Sequence, residues 1–287
     1  MRVVDARVSG IEGALRFAVH EHNDRHVSER IAAEGIWEPF ETELVRRVLT
    51  CPAPGDTSDG GHLFVDCGAN IGWYSMVAAA LGAKVVAFEP QPANAVLLRS
   101  NVERNHFDAA VEVHEIALGS DPGGGVLRLS VDNQGDHRVV PDGVVVAGSA
   151  RDEIHVPIRG LDDVLEGRRP TVIKLDTQGS EVAILRGGPV ALRSPNVVIV
   201  LEFWPYGLER CGADAQQLLE ILASLVDRSH ACFEILEWRT ALRPLSVAAL
   251  RDMATTGGYS SEMKGFTNIV LIPTELVGVL ADLIFGD

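Results

Sequence analysis

The apolar positions of this chain alternate between two periods. Short apolar runs recur at 64–67, 84–89, 111–116, 171–176, 196–202, 231–236 and 267–272, each of a length and β-branched content that suits a strand. Between them the spacing turns helical: Tyr74, Val77, Ala78 and Leu81 follow the first run, 93–105 the second and 181–186 the fourth. Leu218, Leu219, Leu222 and Leu225 make one stripe within 214–227. Strands that alternate with helices over short connections predict a parallel sheet with right-handed crossovers. The run NVVIVLE at 196–202 is the most apolar and is expected at the centre of the sheet.

Elsewhere the pattern differs. Residues 1 to about 35 are charged and irregular, with His20, His22 and His26 close together, and read as a solvated lead-in. Phe40, Leu44, Val45 and Val48 predict a helix over 37–49 that opens at Pro39. The turn formers of 51–61 predict a loop. Between 121 and 157, alternating runs, glycines and the polar string DNQGDHR predict an antiparallel β-rich insertion or flap. The final stretch, 275–285, has helical character. The simplest organisation is a helical lead-in over 1–60 and one α/β domain over 61–287 that carries the insertion at about 121–157.

Composition narrows the function. The 287 residues hold 25 Lys and Arg against 40 Asp and Glu, a net charge of -15. An acidic chain without a basic cluster longer than Arg168-Arg169 is repelled by phosphate backbones and anionic membranes, so neither nucleic acid nor a membrane is an expected partner. Cys51, Cys67, Cys211 and Cys232 are widely spaced, without a CxxC pair, which fits a reducing cytosol. With no apolar segment at its start and none of membrane length, the chain is expected to be soluble and cytoplasmic. Homo-oligomerisation is left open.

The chemistry gathers at FVDCGANIGWYS, residues 64–75: a strand, then a glycine loop, then a helix start. That order opens a nucleotide-binding α/β unit, with Gly68 and Gly72 giving a tight turn and close approach to a ligand. The glycines sit as G-x-x-x-G, which departs from the GxGxxG of dinucleotide folds. Asp66 ends the strand, where a carboxylate repels a pyrophosphate but attracts a ligand that carries an ammonium and a sulfonium. That attraction is about 4 kcal/mol at roughly 4 Å and an effective dielectric near 20, before desolvation is subtracted. Glu89 ends the second strand, where an acid accepts hydrogen bonds from ribose hydroxyls. Ile116 and Ala117, at the end of the third, suit an adenine face or plain core equally well. A nicotinamide-dependent oxidoreductase and a catalytically silent cofactor-binding domain are the rival readings.

The strings DCGANIGWYS, FEP at 88–90, VIKLDTQGSEVAILRGG from Val172 to Gly188 and VIVLEF at 198–203 resemble the FkbM family of S-adenosylmethionine-dependent methyltransferases over roughly 60–272. The resemblance implies a Rossmann-like class I fold, a mostly parallel seven-stranded sheet with helices on both faces. It implies O-methylation of a hydroxyl on a small natural product or sugar, with S-adenosylhomocysteine as the product. By the same resemblance Asp66, Gly68, Asn70 and Gly72 hold the methionine part and Glu89 the ribose. The family's string more usually reads D-V-E-G, where this chain has Thr177 and Gln178. No [DN]PP[YF] string of the adenine and glutamine methyltransferases follows the fourth strand.

A methyltransferase must position the acceptor and remove its proton. Asp176 stands at the carboxyl end of a parallel strand, where open α/β sheets bind ligands, as a contact to cofactor or acceptor or as a proton acceptor. Glu202 ends the next strand, and Glu181 suits either a helix cap or catalysis. His137, between Asp136 and Arg138, is the histidine best placed in sequence for a base. His114 and His155, inside strands, suit structural places. Asp176, Glu202 and His137 could ligate Mg²⁺, although no spacing demands a metal and none is assigned. Trp204, Pro205 and Tyr206 are expected to wall the acceptor pocket or to form a packed lid. Lys264, Gly265 and Phe266 are expected to border the same site.

Overall fold

The apolar runs form strands close to where their period places them. In the computed structural model the strands are β1 (Arg2–Ala6), β2 (Leu15–Val19), β3 (Leu63–Cys67), β4 (Lys84–Phe88), β5 (Val111–His114), β6 (Ala117–Gly119) and β7 (Gly123–Arg128). They continue as β8 (Arg138–Pro141), β9 (Glu153–Gly160), β10 (Val172–Leu175), β11 (Val198–Phe203), β12 (His230–Leu236), β13 (Ala241–Pro244) and β14 (Thr267–Pro273). The structure describes residues 2–22, 24–52, 61–131, 133–144, 152–194, 196–255 and 265–284. Most of the loop expected at 51–61, Asp132 of the polar string, the end of the Val/Gly-rich run, Lys264 and Phe285 lie outside the described residues.

Eight strands make the main sheet, in the order β13-β12-β14-β11-β10-β3-β4-β5. Its parallel heart is β11-β10-β3-β4-β5, and β14 enters antiparallel between β11 and β12. The sheet is therefore mixed, with eight strands where seven were expected. The extra one, β13, is four residues long and holds Arg243 and Pro244, an edge strand too short and too polar to show a period.

Alternation along the strands builds two cores. Phe64, Val85, Ala87, Val172, Val198 and Val200 face one way, onto α2 (Pro39–Thr50), α3 (Trp73–Ala80) and α4 (Pro92–Arg104), which follow α1 (Val27–Glu34) in the chain. Val65, Val86, Ile173, Leu175, Ile199 and Leu201 face the other way. They meet α5 (Leu161–Leu165), α6 (Glu181–Arg186) and α8 (Ala215–Arg228), which follows α7 (Pro205–Arg210). The stripe Leu218, Leu219, Leu222 and Leu225 is fully used, and α8 starts at a capping box between Asp214 and Gln217.

Two regions differ from expectation. The third strand stops at His114, and the chain crosses at Ala117 into a second sheet, β6-β9-β7-β8. That sheet is mixed, because β6 runs parallel to β9 while β7 is antiparallel to both β8 and β9. Residues 2–35, read as irregular, hold the β1–β2 hairpin and α1. Five-residue strands that carry Arg2, Asp5 and Arg16 are too short and too charged to show a period. Tertiary contacts fix them: Asn101 of α4 accepts from the Ala18 amide at 2.6 Å and donates to the Ala18 carbonyl at 3.2 Å. The same amide group donates to the Ile71 carbonyl at 2.8 Å, so the hairpin is tied to the glycine loop. Among the described residues no helix is long and apolar enough to cross a membrane.

Candidate functional site

The carboxyl ends of β3, β4, β10 and β11 open into a cavity of about 1030 Å³. Small-molecule sites span roughly 300–1,000 Å³, so this one has room for a cofactor and an acceptor together. Asp66, Gly68, Asn70, Glu89, Ile116, Ala117, His137, Asp176 and Glu202 all line it. Gly72 does not.

The glycine loop is shaped by the protein as much as by any ligand. Gly68 has φ +84, and a Cβ there would collide with the carbonyl oxygen of Asp176. Gly72 has φ +90 at the N-terminus of α3, and its Cβ would collide with Leu98. Close approach is thus needed, as expected, but the partners of both glycines are other backbone and core. Between them Asn70 takes a left-handed conformation, φ 52, and its amide N–H donates to Glu89 Oε2 at 2.8 Å.

Two acids stand where a cofactor would lie. Asp66 is 2 % exposed and accepts from Ser75 Oγ at 2.6 Å, while burial pushes it up to about 6. Glu89 accepts from the amides of Asn70 and Gln91, yet burial outweighs these bonds and pushes it up to about 7. Asn94 Nδ2 adds a long third bond at 3.5 Å, and a carboxylate's roughly four acceptor sites still leave room for a further donor. Asn70 Oδ1 is buried without a hydrogen-bond partner among the described residues. A pair of buried acids and an orphaned acceptor fit a ligand that brings hydroxyl donors and an ammonium.

Parity along the strands gathers a second group. Asp66, Lys174, Glu202 and Asn268 share the face of Phe64, Val172, Val200 and Val270, which lies under α2 and α3. Asp66 and Lys174 are directly paired in the register of β3 and β10. The Lys174 ammonium is 3.2 Å from Glu41 Oε1 and 3.3 Å from Asp176 Oδ2, and it lies 4.5 Å from the Tyr74 ring centroid. Burial pulls Lys174 down, but Glu41, Asp176, Glu38 and Asp66 together push it well above the ordinary lysine value. Glu38 accepts from the Tyr74 hydroxyl at 2.7 Å, and burial followed by Glu41 pushes it up to about 8. Its backbone is left-handed, φ 40, just before Pro39 opens α2. Strain of this kind collects at functional sites.

Gln178 links the two strand-end acids. Its side-chain amide donates to Asp176 Oδ1 at 2.9 Å and to Glu202 Oε2 at 3.1 Å. The family's string more usually has an acid at this position, and a carboxylate could donate neither bond. Burial, then Asp176, holds Glu202 well above the usual carboxylate range. Glu181 turns back to its own loop, where it accepts from the Thr177 amide, the Thr177 hydroxyl and the Gly179 amide, so it caps the turn.

His137 lines the cavity, but its ring is built into the loop. Its Nδ1 accepts from the Ser130 amide at 3.0 Å, which leaves the proton on Nε2, 3.1 Å from Gln134 Oε1. Asp136, expected to orient this ring, accepts from Arg138 at 2.9 Å. The base role expected of His137 finds no free ring nitrogen here. Among the described residues no group of three or more His, Cys, Asp or Glu side chains is gathered to hold a metal, and Asp176, Glu202 and His137 do not form one.

Sequence reasoning missed Lys174, Glu38 and Asn94. Asn94 Nδ2 reaches the Gln134 carbonyl at 3.0 Å and Glu89 at 3.5 Å, and its oxygen lies 2.7 Å from His20 Nε2. A charged residue inside the apolar run VIKL was the one signal available for Lys174. Nothing in the sequence points Glu38 at a site.

Residues 66–232 match the family model of the methyltransferase FkbM domain. The chain is 30% identical over 204 residues to the hexuronic acid methyltransferase AglP of Haloferax volcanii, a match that spans 68% of this chain and 72% of that protein. Among solved structures, a methyltransferase FkbM from Methylobacillus flagellatus KT aligns with 73% of this chain at 16% identity and a TM-score of 0.43. The match covers 43% of that protein, so the chain spans under half its length. An O-methyltransferase from Bacillus cereus in complex with SAH aligns with 86% of this chain and 85% of its own, at 13% identity and a TM-score of 0.43.

Proposed function

The chain belongs to the FkbM family of methyltransferases, and on that premise we propose that it moves a methyl group from S-adenosylmethionine to a hydroxyl of a small sugar or natural product. The observation that carries the cofactor is the trio of Asp66, Glu89 and Asn70 Oδ1 around one loop. Asp66 and Asn70 would face the ammonium of the methionine part, Glu89 would accept from the ribose hydroxyls, and Ile116 and Ala117 would border the adenine. Family membership favours this reading over a nicotinamide enzyme.

Bound S-adenosylmethionine supplies a methyl carbon already activated by its sulfonium. The protein then has to seat a hydroxyl in line with that carbon and take its proton. The Asp176–Gln178–Glu202 unit is placed for both tasks. Asp176, one-third exposed to the cavity, shares the Lys174 ammonium, and Glu202 has raised proton affinity. One amide bridges the two carboxyl groups, and we assign the acceptor's proton to that pair. No metal is required for the step, although Mg²⁺ remains compatible with the two acids as ligands.

Incubation with methyl-labelled S-adenosylmethionine and a panel of glycosides, neutral and uronic, tests the reading. Label in an alkali-stable ether is expected, lost in Asp176→Asn and Glu202→Gln while S-adenosylhomocysteine still binds. Label found only in an alkali-labile ester contradicts hydroxyl transfer, and binding without any turnover favours the silent-domain rival.

A further inference from the structure

We infer that Trp204 is an acceptor-binding residue whose buried, unpartnered indole N–H, in the cavity that Glu202 also lines, selects a neutral hydroxylated acceptor over a carboxylate. This inference rests on the methyltransferase reading of the cavity and adds the chemistry of its acceptor end.

Trp204 follows β11, and its extended backbone, φ -130 and ψ 88, keeps the two-residue alternation of the strand. Phe203 points into the core, and Glu202 and Trp204 on either side of it both line the cavity. The Trp204 side chain is 6% exposed, yet its Nε1 has no hydrogen-bond partner among the described residues. Buried indole N–H groups nearly always find a partner, and an unsatisfied one beside a cavity is a donor left for a ligand.

The donor is also held in place. A Cβ on Gly207 would collide with the indole ring, so the backbone of α7 packs directly against it. The Arg138 guanidinium lies 4.9 Å from the indole centroid, and Asp136 holds that guanidinium at 2.9 Å. Tyr206 packs at 5.6 Å. A ring fixed on these sides presents its N–H in one direction, which is the requirement for orienting a ligand.

The neighbouring groups say what kind of oxygen fits. Trp204 only donates, whereas an ionised carboxylate only accepts. A hydroxyl both accepts and donates, so it satisfies the tryptophan and a carboxylate at once. A carboxylate ligand could accept from Trp204, but it would bring a further negative charge to a place where burial and Asp176 already hold Glu202 well above the usual carboxylate range. The nearby cations are engaged: Lys174 is shared between Glu41 and Asp176, and Arg138 is held by Asp136. The hexuronic acid of the Haloferax relative's name offers both hydroxyls and a carboxyl, and this geometry favours the hydroxyls.

The test uses protein saturated with S-adenosylhomocysteine, titrated with methyl glucoside and with methyl glucuronide, which differ only by a carboxylate in place of CH₂OH. Ligand-observed NMR is expected to show the glucoside binding at least about tenfold more tightly, since like charges placed together are strongly disfavoured. Trp204→Phe keeps an aromatic ring but deletes the donor and part of the packed indole, and should weaken the glucoside by about fivefold, the worth of one hydrogen bond, with S-adenosylhomocysteine affinity unchanged. Some loss of melting temperature is expected from the smaller ring, because the indole packs against Gly207. Equal or tighter glucuronide binding, no binding of either glycoside, or unchanged glycoside binding in Trp204→Phe would each overturn the inference. If wild-type protein fails to bind S-adenosylhomocysteine, the methyltransferase reading of the cavity fails and this inference falls with it. If that ligand binds and only the glycoside preference fails, the loss is confined to Trp204.

Discussion

Asp66, Glu89 and Asn70 make up the proposed cofactor end, and the protonation of the two acids sets a pH dependence. Burial lifts Asp66 to about 6 and Glu89 to about 7 in the free protein, while the proposed ligand binds their ionised forms. S-adenosylhomocysteine affinity should therefore fall as pH drops through about 7 and then about 6, with protons released on binding in that range. Calorimetry in buffers of different ionisation enthalpy reads both effects; a flat affinity from about pH 5.5 to 8.5 would remove these carboxylates from the site. Asp66→Ala should cost at least about tenfold in affinity, the equivalent of roughly 1.4 kcal/mol, with the fold intact by circular dichroism. Asp66, Glu89, Asp176 and Glu202 were legible in the sequence because a parallel sheet delivers the residues at its strand ends to one edge. Glu38 and Lys174 were not, since their meaning lies in a contact between α2 and β10 that no local pattern encodes. His137 lines the cavity, but that its ring bonds to its own loop was not legible, because a polar loop with an acidic neighbour looks the same whether its histidine is offered to a ligand or tied to its own backbone.

At the scale of elements, the junction between the glycine loop and β10 carries the site. The backbone of Asp176 lies against Gly68, so Gly68→Ala meets both a left-handed conformation and a steric collision. Roughly 2–5 kcal/mol of stability should be lost, from about 1–2 for the conformation and 1–3 for the overpacking. Denaturant unfolding measures it, and a loss under about 0.5 kcal/mol would show that the loop can move aside. Lys174 ties α2 to the same junction. Lys174→Met leaves Glu41 and its neighbours without a buried counter-charge and should cost about 3–5 kcal/mol. The double variant with Glu41→Gln should recover part of that loss; strict additivity would mean that the two groups do not interact. Strands were legible wherever four or more apolar residues ran together, as in β4 and β11. The β1–β2 hairpin and β13 were hidden because packing on α4 and on β12 holds them, in place of any pattern of their own.

At the scale of the whole molecule, acidity and the buried acids act in the same direction. Asp66, Glu89 and Glu38 are raised from 3.8, 4.5 and 4.5 to about 6, 7 and 8, so the folded chain binds their protons more tightly than the unfolded chain. The stability they contribute is complete below about pH 4 and is lost as pH rises through about 6 to 8. The net charge of -15 adds self-repulsion over the same range. The ligand-free protein should melt lower at about pH 8.5 than at about pH 5.5, and scanning calorimetry would show the reverse if these acids were ionised without cost. The central claim is that the cavity at the ends of β3 and β4 takes S-adenosylmethionine, and titration calorimetry tests it most directly. Wild-type protein is expected to bind S-adenosylhomocysteine at one site, Glu89→Ala to bind it at least about tenfold more weakly, and NAD not to bind. Binding of NAD but not S-adenosylhomocysteine, or equal affinity in Glu89→Ala, would contradict the account.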